Sequence, residues 1–282
     1  MTARQRLRKW KKASPRLWPI NFMIAKTKKE ISDLKAGGKI LGEILSELAR
    51  LCRPGKNAWE IDQVAEKMIR QTGGRPAFKN YCAQPGERPF PSTICASFNN
   101  ELVHGIAKKE AILKNGDIFS IDIGMQYRGL FTDTAITVAV GGIPKKTREL
   151  MRVTKDALEK GIETVRPGIS VAELGREIEN FVKSRGDFGI VRDLVGHGVG
   201  RAVHEEPRLP NYYDRRMEKY ILKPGMVLAL EPMISLGDWR IKLGADGWTV
   251  EMADGSLCAH YEHTVIVTYK GCDVLTRRPE EI

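Results

Sequence analysis

Two aspartates eleven positions apart, Asp122 and Asp133, are followed along the chain by His197, Glu231 and Glu262. Each sits in a short stretch built around it: Ser-Ile-Asp122-Ile-Gly, Phe-Thr-Asp133-Thr-Ala, Val-Gly-His197-Gly-Val-Gly, Leu-Glu231-Pro-Met and Tyr-Glu262-His-Thr. Four carboxylates and one imidazole suit a pair of divalent cations, because carboxylates can bridge two ions and a neutral imidazole completes the shell of one. An acid inside Phe-Ser-Ile-Asp122-Ile-Gly is costly to bury unless it is paired or metal-bound. Glycines around His197 let backbone approach a ligand closely. Each residue alone has a duller reading. Asp122 and Glu231 could end strands, Asp133 could be a hydrogen-bonded loop acid, His197 could be structural, and Glu262 could pair with a surface lysine. Their joint occurrence favours the metal reading.

The elements that must position these residues come in two rhyming sets. Arg53-Pro54-Gly55 with Glu60-Ile61 matches Arg166-Pro167-Gly168 with Glu173-Leu174 at an offset of 113. Ahead of the first Pro-Gly, Ile31, Leu34, Ile40, Ile44, Leu45 and Leu48 form a helical apolar stripe; ahead of the second stand Leu150, Val153, Ala157, Leu158 and Ile162. Ile61, Val64 and Met68, and likewise Leu174, Ile178 and Phe181, continue as the next helices. Leu113 to Asp122 lines up with Leu222 to Glu231, each a Lys-x-Gly turn that starts a strand and reaches a carboxylate nine positions after the leucine. A third echo pairs His104-Gly-Ile with His197-Gly-Val. Together these predict two helix–helix–sheet halves related by a pseudo-twofold, with acids projecting into a shared cleft. Strands are expected at Thr93–Phe98, Asp117–Gly124, Ala135–Val140, Val227–Leu230 and Thr264–Tyr269, with Gly141-Gly142-Ile143-Pro144 as the linker. A turn at Tyr127-Arg128-Gly129 would set Asp122 and Asp133 on neighbouring antiparallel strands, with Ile121 and Ile123 facing away from Asp122.

At 282 residues and 42% hydrophobic, the chain can bury one sizeable core. No apolar run is long enough to span a membrane, and the basic start has no apolar core of a secretory signal behind it. Five scattered cysteines, without C-x-x-C spacing, favour reduced thiols in the cytoplasm. Of the net charge of +11, residues 1–22 carry seven basic side chains and no acid, leaving about +4 for the rest. That segment reads as a solvated extension, as an anchor for ribosomal RNA phosphates, or as an organelle transit peptide.

Further stretches make the reading specific: Pro-Ala-Phe-Lys-Asn-Tyr81, Phe90-Pro-Ser-Thr-Ile-Cys95, Asn99-Asn-Glu-Leu-Val-His104-Gly-Ile, Val203-His204-Glu-Glu-Pro and Asp246-Gly-Trp248-Thr-Val. With the five stretches above, they make the chain from about Ile24 to Leu275 resemble the type I methionine aminopeptidases, pita-bread metallopeptidases. The resemblance implies an α+β pita-bread fold, with two pseudo-twofold halves and a curved antiparallel sheet covered by helices. It implies a basic extension over residues 1–24 and a catalytic domain over 25–282. It further implies two divalent ions (Co, Mn, Fe or Zn) held by Asp122, Asp133, His197, Glu231 and Glu262, with Asp133 and Glu262 bridging. His104 would face the scissile nitrogen or leaving side, His204 the substrate carbonyl oxygen, and Glu231 would relay a proton. Tyr81, Phe90, Cys95 and Trp248 would surround the methionine side chain. The implied partners are nascent polypeptide N-termini and, through the basic segment, the ribosome; the implied state is a monomer.

Three positions depart from that family. Val203 stands where phenylalanine is usual, which predicts a looser pocket wall, and Ala107 stands where proline is usual. Eight residues, Cys82 to Pro89, separate Tyr81 from Phe90 where the family has a much shorter connection, which predicts a substrate mouth of different shape at the Tyr81 rim. A proline-specific aminopeptidase of the same fold would carry histidine at position 193, which is Asp193 here. A type II enzyme needs a helical insertion for which the 30 residues between Glu231 and Glu262 leave no room. A catalytically silent, ribosome-associated module would have lost ligands, and all five are present.

Overall fold

The computed structural model describes residues 23–82 and 88–281, so the basic segment 1–22 and most of the long Tyr81–Phe90 connection lie outside the described residues. The first half contains helices α1 (Lys28–Leu51) and α2 (Ala58–Gln71), then strands β1 (Arg75–Pro76), β2 (Ile94–Phe98), β3 (Glu101–Val103), β4 (Ile118–Tyr127) and β5 (Leu130–Ala139). The second contains α3 (Lys145–Thr164) and α4 (Val171–Arg185), then β6 (Gly189–Ile190), β7 (Gly196–Gly198), β8 (Glu205–Leu209), β9 (Val227–Leu230) and β10 (Met233–Ser235). It ends with β11 (Ile241–Leu243), β12 (Val250–Met252), β13 (Cys258–His260), β14 (Glu262–Val267) and β15 (Cys272–Val274).

Helix α1 opens on a capping box: the Thr27 hydroxyl accepts from Glu30 N at 3.1 Å, and the Glu30 carboxylate accepts from Thr27 N at 3.0 Å. Its stripe buries Leu34, Leu41, Ile44, Leu45 and Leu48, with Leu41 an addition to the expected set. Ile121 and Ile123 of β4 meet this helix layer, which turns Asp122 to the opposite face.

The internal repeat is written in backbone hydrogen bonds. Gly55 N donates to Leu113 O, Leu113 N to Lys56 O, and Ala58 N to Ala111 O, at 2.8 to 2.9 Å. In the second half Gly168 N donates to Leu222 O, Leu222 N to Ile169 O, and Val171 N to Tyr220 O, at 2.9 to 3.0 Å. Both glycines hold a positive φ, 86° and 90°, which explains why Pro-Gly recurs there. The third echo is misregistered. Ser97 lies opposite Ser120, and His197 lies opposite Ala229, the equivalent of Ser120 at the 109-residue offset that relates Leu113 to Leu222. His197 therefore corresponds to Ser97, and His104 corresponds to His204, each seven residues further on. The shared His-Gly spelling had suggested a pairing that the strand register does not allow.

All the strand pairings are antiparallel, and the central order β2-β4-β5-β14-β9-β7 is symmetric about the β5–β14 junction. The turn between β4 and β5 is formed by Arg128 and Gly129, with φ 50° and 85°, the type I′ geometry that matches strand twist. This tight closure extends β5 back to Leu130, five residues before the expected start. Strand β14 begins at Glu262 rather than Thr264, because the polar Glu262 and His263, left out of an apolar run, are fully engaged in the sheet interior. Met23 is 1% exposed and its N–H donates to Glu205 at 2.7 Å, so the packed body takes in residues expected to lie in the extension.

Helix α1 carries Gly38 and Gly42 where the segment after β15 crosses it. A Cβ on Gly42 would lie 2.6 Å from Arg277 O, and one on Gly38 would lie 2.5 Å from Leu275 O. Helix propensity favours Gly42→Ala by about 1 kcal/mol. The backbone atoms it would strike are held in place, so overpacking of about 1–3 kcal/mol outweighs that gain. Urea unfolding should therefore show Gly42→Ala less stable than the parent, the reverse of the ordinary result at a helix interior.

Candidate metal centre

Five adjacent strands each bring one residue to the concave face. In sheet order these are Asp122 on β4, Asp133 on β5, Glu262 on β14, Glu231 just past the end of β9, and His197 on β7. Asp133 pairs with Gly124 rather than Asp122, and Asp122 pairs with Ala135, so the two aspartates are diagonal neighbours on one face. Glu262 also pairs with Ala135, which places three of the carboxylates around one residue. Ligand atoms of Asp133, His197 and Glu262 all lie within 4.8 Å of one another. His197 Nε2 is 3.6 Å from Glu231 Oε1.

Electrostatically the cluster is strained. Burial raises both Asp122 and Glu231 to about 7, and the Glu231 charge adds to the rise of Asp122. Burial likewise holds Asp133 and Glu262 well above the usual carboxylate range, with Asp122 reinforcing the first and Asp133 the second. Asp122 Oδ1 and Glu262 Oε1 are buried oxygens that accept no hydrogen bond from the protein. Buried acceptors without donors are rare. A set of oxygen donors plus one neutral imidazole, with Asp122 Oδ1 and Glu262 Oε1 left bare, fits divalent cations.

Histidines form the rest of the rim. Burial lowers the proton affinity of His104 to about 4, of His260 to about 3, and of His197 and His204, so all four are neutral near pH 7. The His197 and His204 rings meet edge-on at 4.6 Å between centroids. His204 Nδ1 lies 3.3 Å from the Tyr81 hydroxyl. His104, at φ 58°, follows β3 in a left-handed conformation unusual outside glycine and asparagine. His260 was not among the expected site residues, yet its Nε2 lies 3.1 Å from Glu231 Oε2. It ends β13, whose partner strand β10 begins at Met233, just past Glu231, so the contact arises from strand pairing and not from a local sequence signal.

Beside the carboxylates lies an apolar cluster of Phe78, Phe90, Cys95 and Val203, with Tyr81, Ile106 and Trp248 packed against it. Phe90 and Trp248 meet edge-to-face at 5.2 Å. Cys95 stands opposite Asp122 in the β2–β4 ladder and joins the carboxylates to the pocket. Tyr81 is tied to the far end of the connection: Phe90 N donates to Tyr81 O and Asn80 N to Phe90 O, both at 2.8 Å. Val203 is a buried member of the wall.

Comparison with known proteins places this geometry. The model of metallopeptidase family M24 matches residues 32–269. Methionine aminopeptidase 1 of Bacillus subtilis is 41% identical over 256 residues, 91% of this chain and 100% of its own length. The methionine aminopeptidase of Clostridium perfringens is 42% identical, covering 90% of this chain and 99% of its own. The crystal structure of a methionine aminopeptidase from Thermotoga maritima superposes with a TM-score of 0.85 at 42% identity, over 91% of this chain and 100% of that one. A prolidase from Pyrococcus furiosus shares the fold at a TM-score of 0.70 and 24% identity, over 90% of this chain and 66% of that one. The chain belongs to metallopeptidase family M24, as a metal-dependent hydrolase of the methionine aminopeptidase group.

Proposed function

We propose that this protein hydrolyses the peptide bond after an N-terminal methionine of nascent polypeptides, with two divalent ions (Co, Mn, Fe or Zn) held by Asp122, Asp133, His197, Glu231 and Glu262. The observation that carries this reading is the joining of four buried carboxylates to an apolar, sulfur-lined pocket across the Cys95–Asp122 pair. Asp133 and Glu262, which stand on the two central strands, would each be placed to hold both ions. When bound, the ions supply Lewis acidity toward the carbonyl and a water acidic enough to attack near neutral pH. The protein's own groups do the rest. Glu231, flanked by His197 and His260, takes the water's proton and passes it to the leaving amine. Neutral His204, oriented by Tyr81, donates to the carbonyl oxygen as charge develops. His104 contacts the scissile nitrogen. Tyr81, Phe90, Cys95 and Trp248 close around the methionine thioether, which apolar and aromatic surfaces suit.

The protein acts as a cytoplasmic monomer, and the seven basic side chains of residues 1–22 associate with ribosomal RNA. No helix among the described residues is long and apolar enough to cross a membrane, and the five cysteines are free thiols.

A Met-Ala-Ser peptide assay with Mn²⁺ or Co²⁺ supplied should release methionine; no release with any of the four metals would overturn the reading. Asp133→Asn and Glu262→Gln should each lower turnover by about three orders of magnitude while circular dichroism stays unchanged. His260→Leu should cut kcat about ten-fold with KM nearly constant, and His260→Gln, which keeps a donor, should recover most of it. Metal affinity should depend on pH in a defined direction. Raised carboxyl pKa values mean that protons still occupy Asp122 and Glu231 up to about 7, and these must leave before an ion binds. Mn²⁺ affinity measured calorimetrically should therefore strengthen as pH rises from 5.5 to 8, with protons released on binding; a flat profile would contradict the assignment.

A further inference from the structure

The segment that follows β15 packs behind the carboxylates, and none of the residues assigned above lies in it. Leu275 N donates to Thr264 O at 2.8 Å, which brings the segment onto β14. The Thr276 hydroxyl accepts from Thr264 N at 3.0 Å and lies 3.0 Å from His263 Nδ1. Thr264, in turn, uses its hydroxyl on both backbone groups of Asp133, accepting from its N–H at 2.9 Å and donating to its carbonyl at 2.7 Å. A two-step path thus joins Thr276 to the backbone of Asp133.

Arg278 provides a second path. Its side chain is 1% exposed, and Nη1 donates to Ala135 O at 3.3 Å. Ala135 is the register partner of both Asp122 and Glu262. Nη2 of the same guanidinium donates to Glu281 Oε1 at 2.6 Å, and Glu281 Oε2 lies 3.2 Å from His263 Nε2. His263 follows Glu262 on β14 and points to the other face of the sheet. Glu159, His263 and Glu281 approach one another at ligand spacing. The carboxylates there are taken by arginines, Arg277 Nη2 to Glu159 at 2.7 Å and Arg278 to Glu281, so the cluster is an ion-pair knot and no second cation site. The outer side of the segment rests on α1, where Gly38 and Gly42 leave room for its backbone. Serine joins in as well: Ser46 of α1 donates to Glu280 at 2.7 Å.

We infer that residues 275–281 form a positioning strap, clamped between α1 and the sheet, in which Thr276 and Arg278 fix the backbone register of Asp122, Asp133 and Glu262 for metal binding. The inference rests on the reading of those carboxylates as ligands. Burying a guanidinium and a carboxylate is expensive unless the geometry is tight and every oxygen is used. Here Nη1 of Arg278 is spent on Ala135 of β5 and Nη2 on Glu281, while Nε has no partner among the described residues. Groups standing behind a metal's direct ligands commonly govern affinity by ten- to a hundred-fold.

The test is Mn²⁺ binding by electron paramagnetic resonance, titrating metal-free full-length protein and reading the free ion. Thr276→Val and Arg278→Met should each weaken binding about ten-fold or more, with Arg278→Lys recovering part of the loss. Ile69→Val, a destabilising change in the buried core under α2, should leave affinity at the parental value. If Arg278→Met does not fold, as judged by cooperative thermal unfolding, Thr276→Val decides alone. Parental affinity in the strap variants would overturn the inference, and so would an equal weakening by Ile69→Val, since the effect would then be general stability. Asp133→Asn separates the two levels. If it binds Mn²⁺ like the parent, the ligand reading itself fails; if it loses binding while the strap variants do not, only the strap fails.

Discussion

Four carboxyl groups facing one another in a buried cleft are the constraint on which the rest of this structure depends. Water is excluded, so each acid resists ionisation, and each ionised neighbour makes the next harder to ionise. Such a cluster persists only if the fold forces it and a cation offsets its cost. The fold does force it. Three of the acids project from the three consecutive strands β4, β5 and β14, and the fourth stands at the end of β9, the next in order. Backbone ladders on both sides hold the register, and a slip of one residue would turn an acid away from the face. Helices α1 and α2 cover one half of the convex side, and α3 and α4 cover the other.

The duplicated architecture explains why the site lies where it does. Two copies of a helix–helix–sheet unit meet at β5 and β14, and equivalent positions contribute equivalent chemistry: Asp122 within β4 and Glu231 just past β9 at matched register, His104 and His204 at matched loops. What differs between the halves supplies asymmetry. Ser97 in the first half becomes His197 in the second, so the imidazole at this register position stands on one side of the carboxylate cluster only. The apolar pocket is built mainly from first-half residues, Phe78, Tyr81, Phe90 and Cys95, and it gives the cleft a direction.

Much of this could be read from the chain before the coordinates, and the failures have physical causes. The four acids and the imidazole stood in short, recognisable settings, and the Pro-Gly and Lys-x-Gly repeats gave away the doubling because backbone geometry at positive φ restricts residue choice. The third echo misled because it compared spelling instead of register. Leu41 and the first residues of β5 escaped because local apolar patterns do not report what a tight turn or a facing helix adds. His260 escaped because its approach to Glu231 comes from the pairing of β13 with β10, which no local pattern reports. Arg278 was out of reach altogether: nothing in the local sequence Leu-Thr-Arg-Arg-Pro marks one of two adjacent arginines as wholly buried, a fact created by the long-range approach of Ala135, His263 and Glu281.

The central claim is that these five side chains hold two divalent ions. Anomalous diffraction from crystals of the full chain equilibrated with Mn²⁺ tests it most directly. The account predicts two peaks enclosed by Asp122, Asp133, His197, Glu231 and Glu262, with Asp133 and Glu262 touching both. An empty cluster, or ordered manganese only at surface carboxylates, would contradict it.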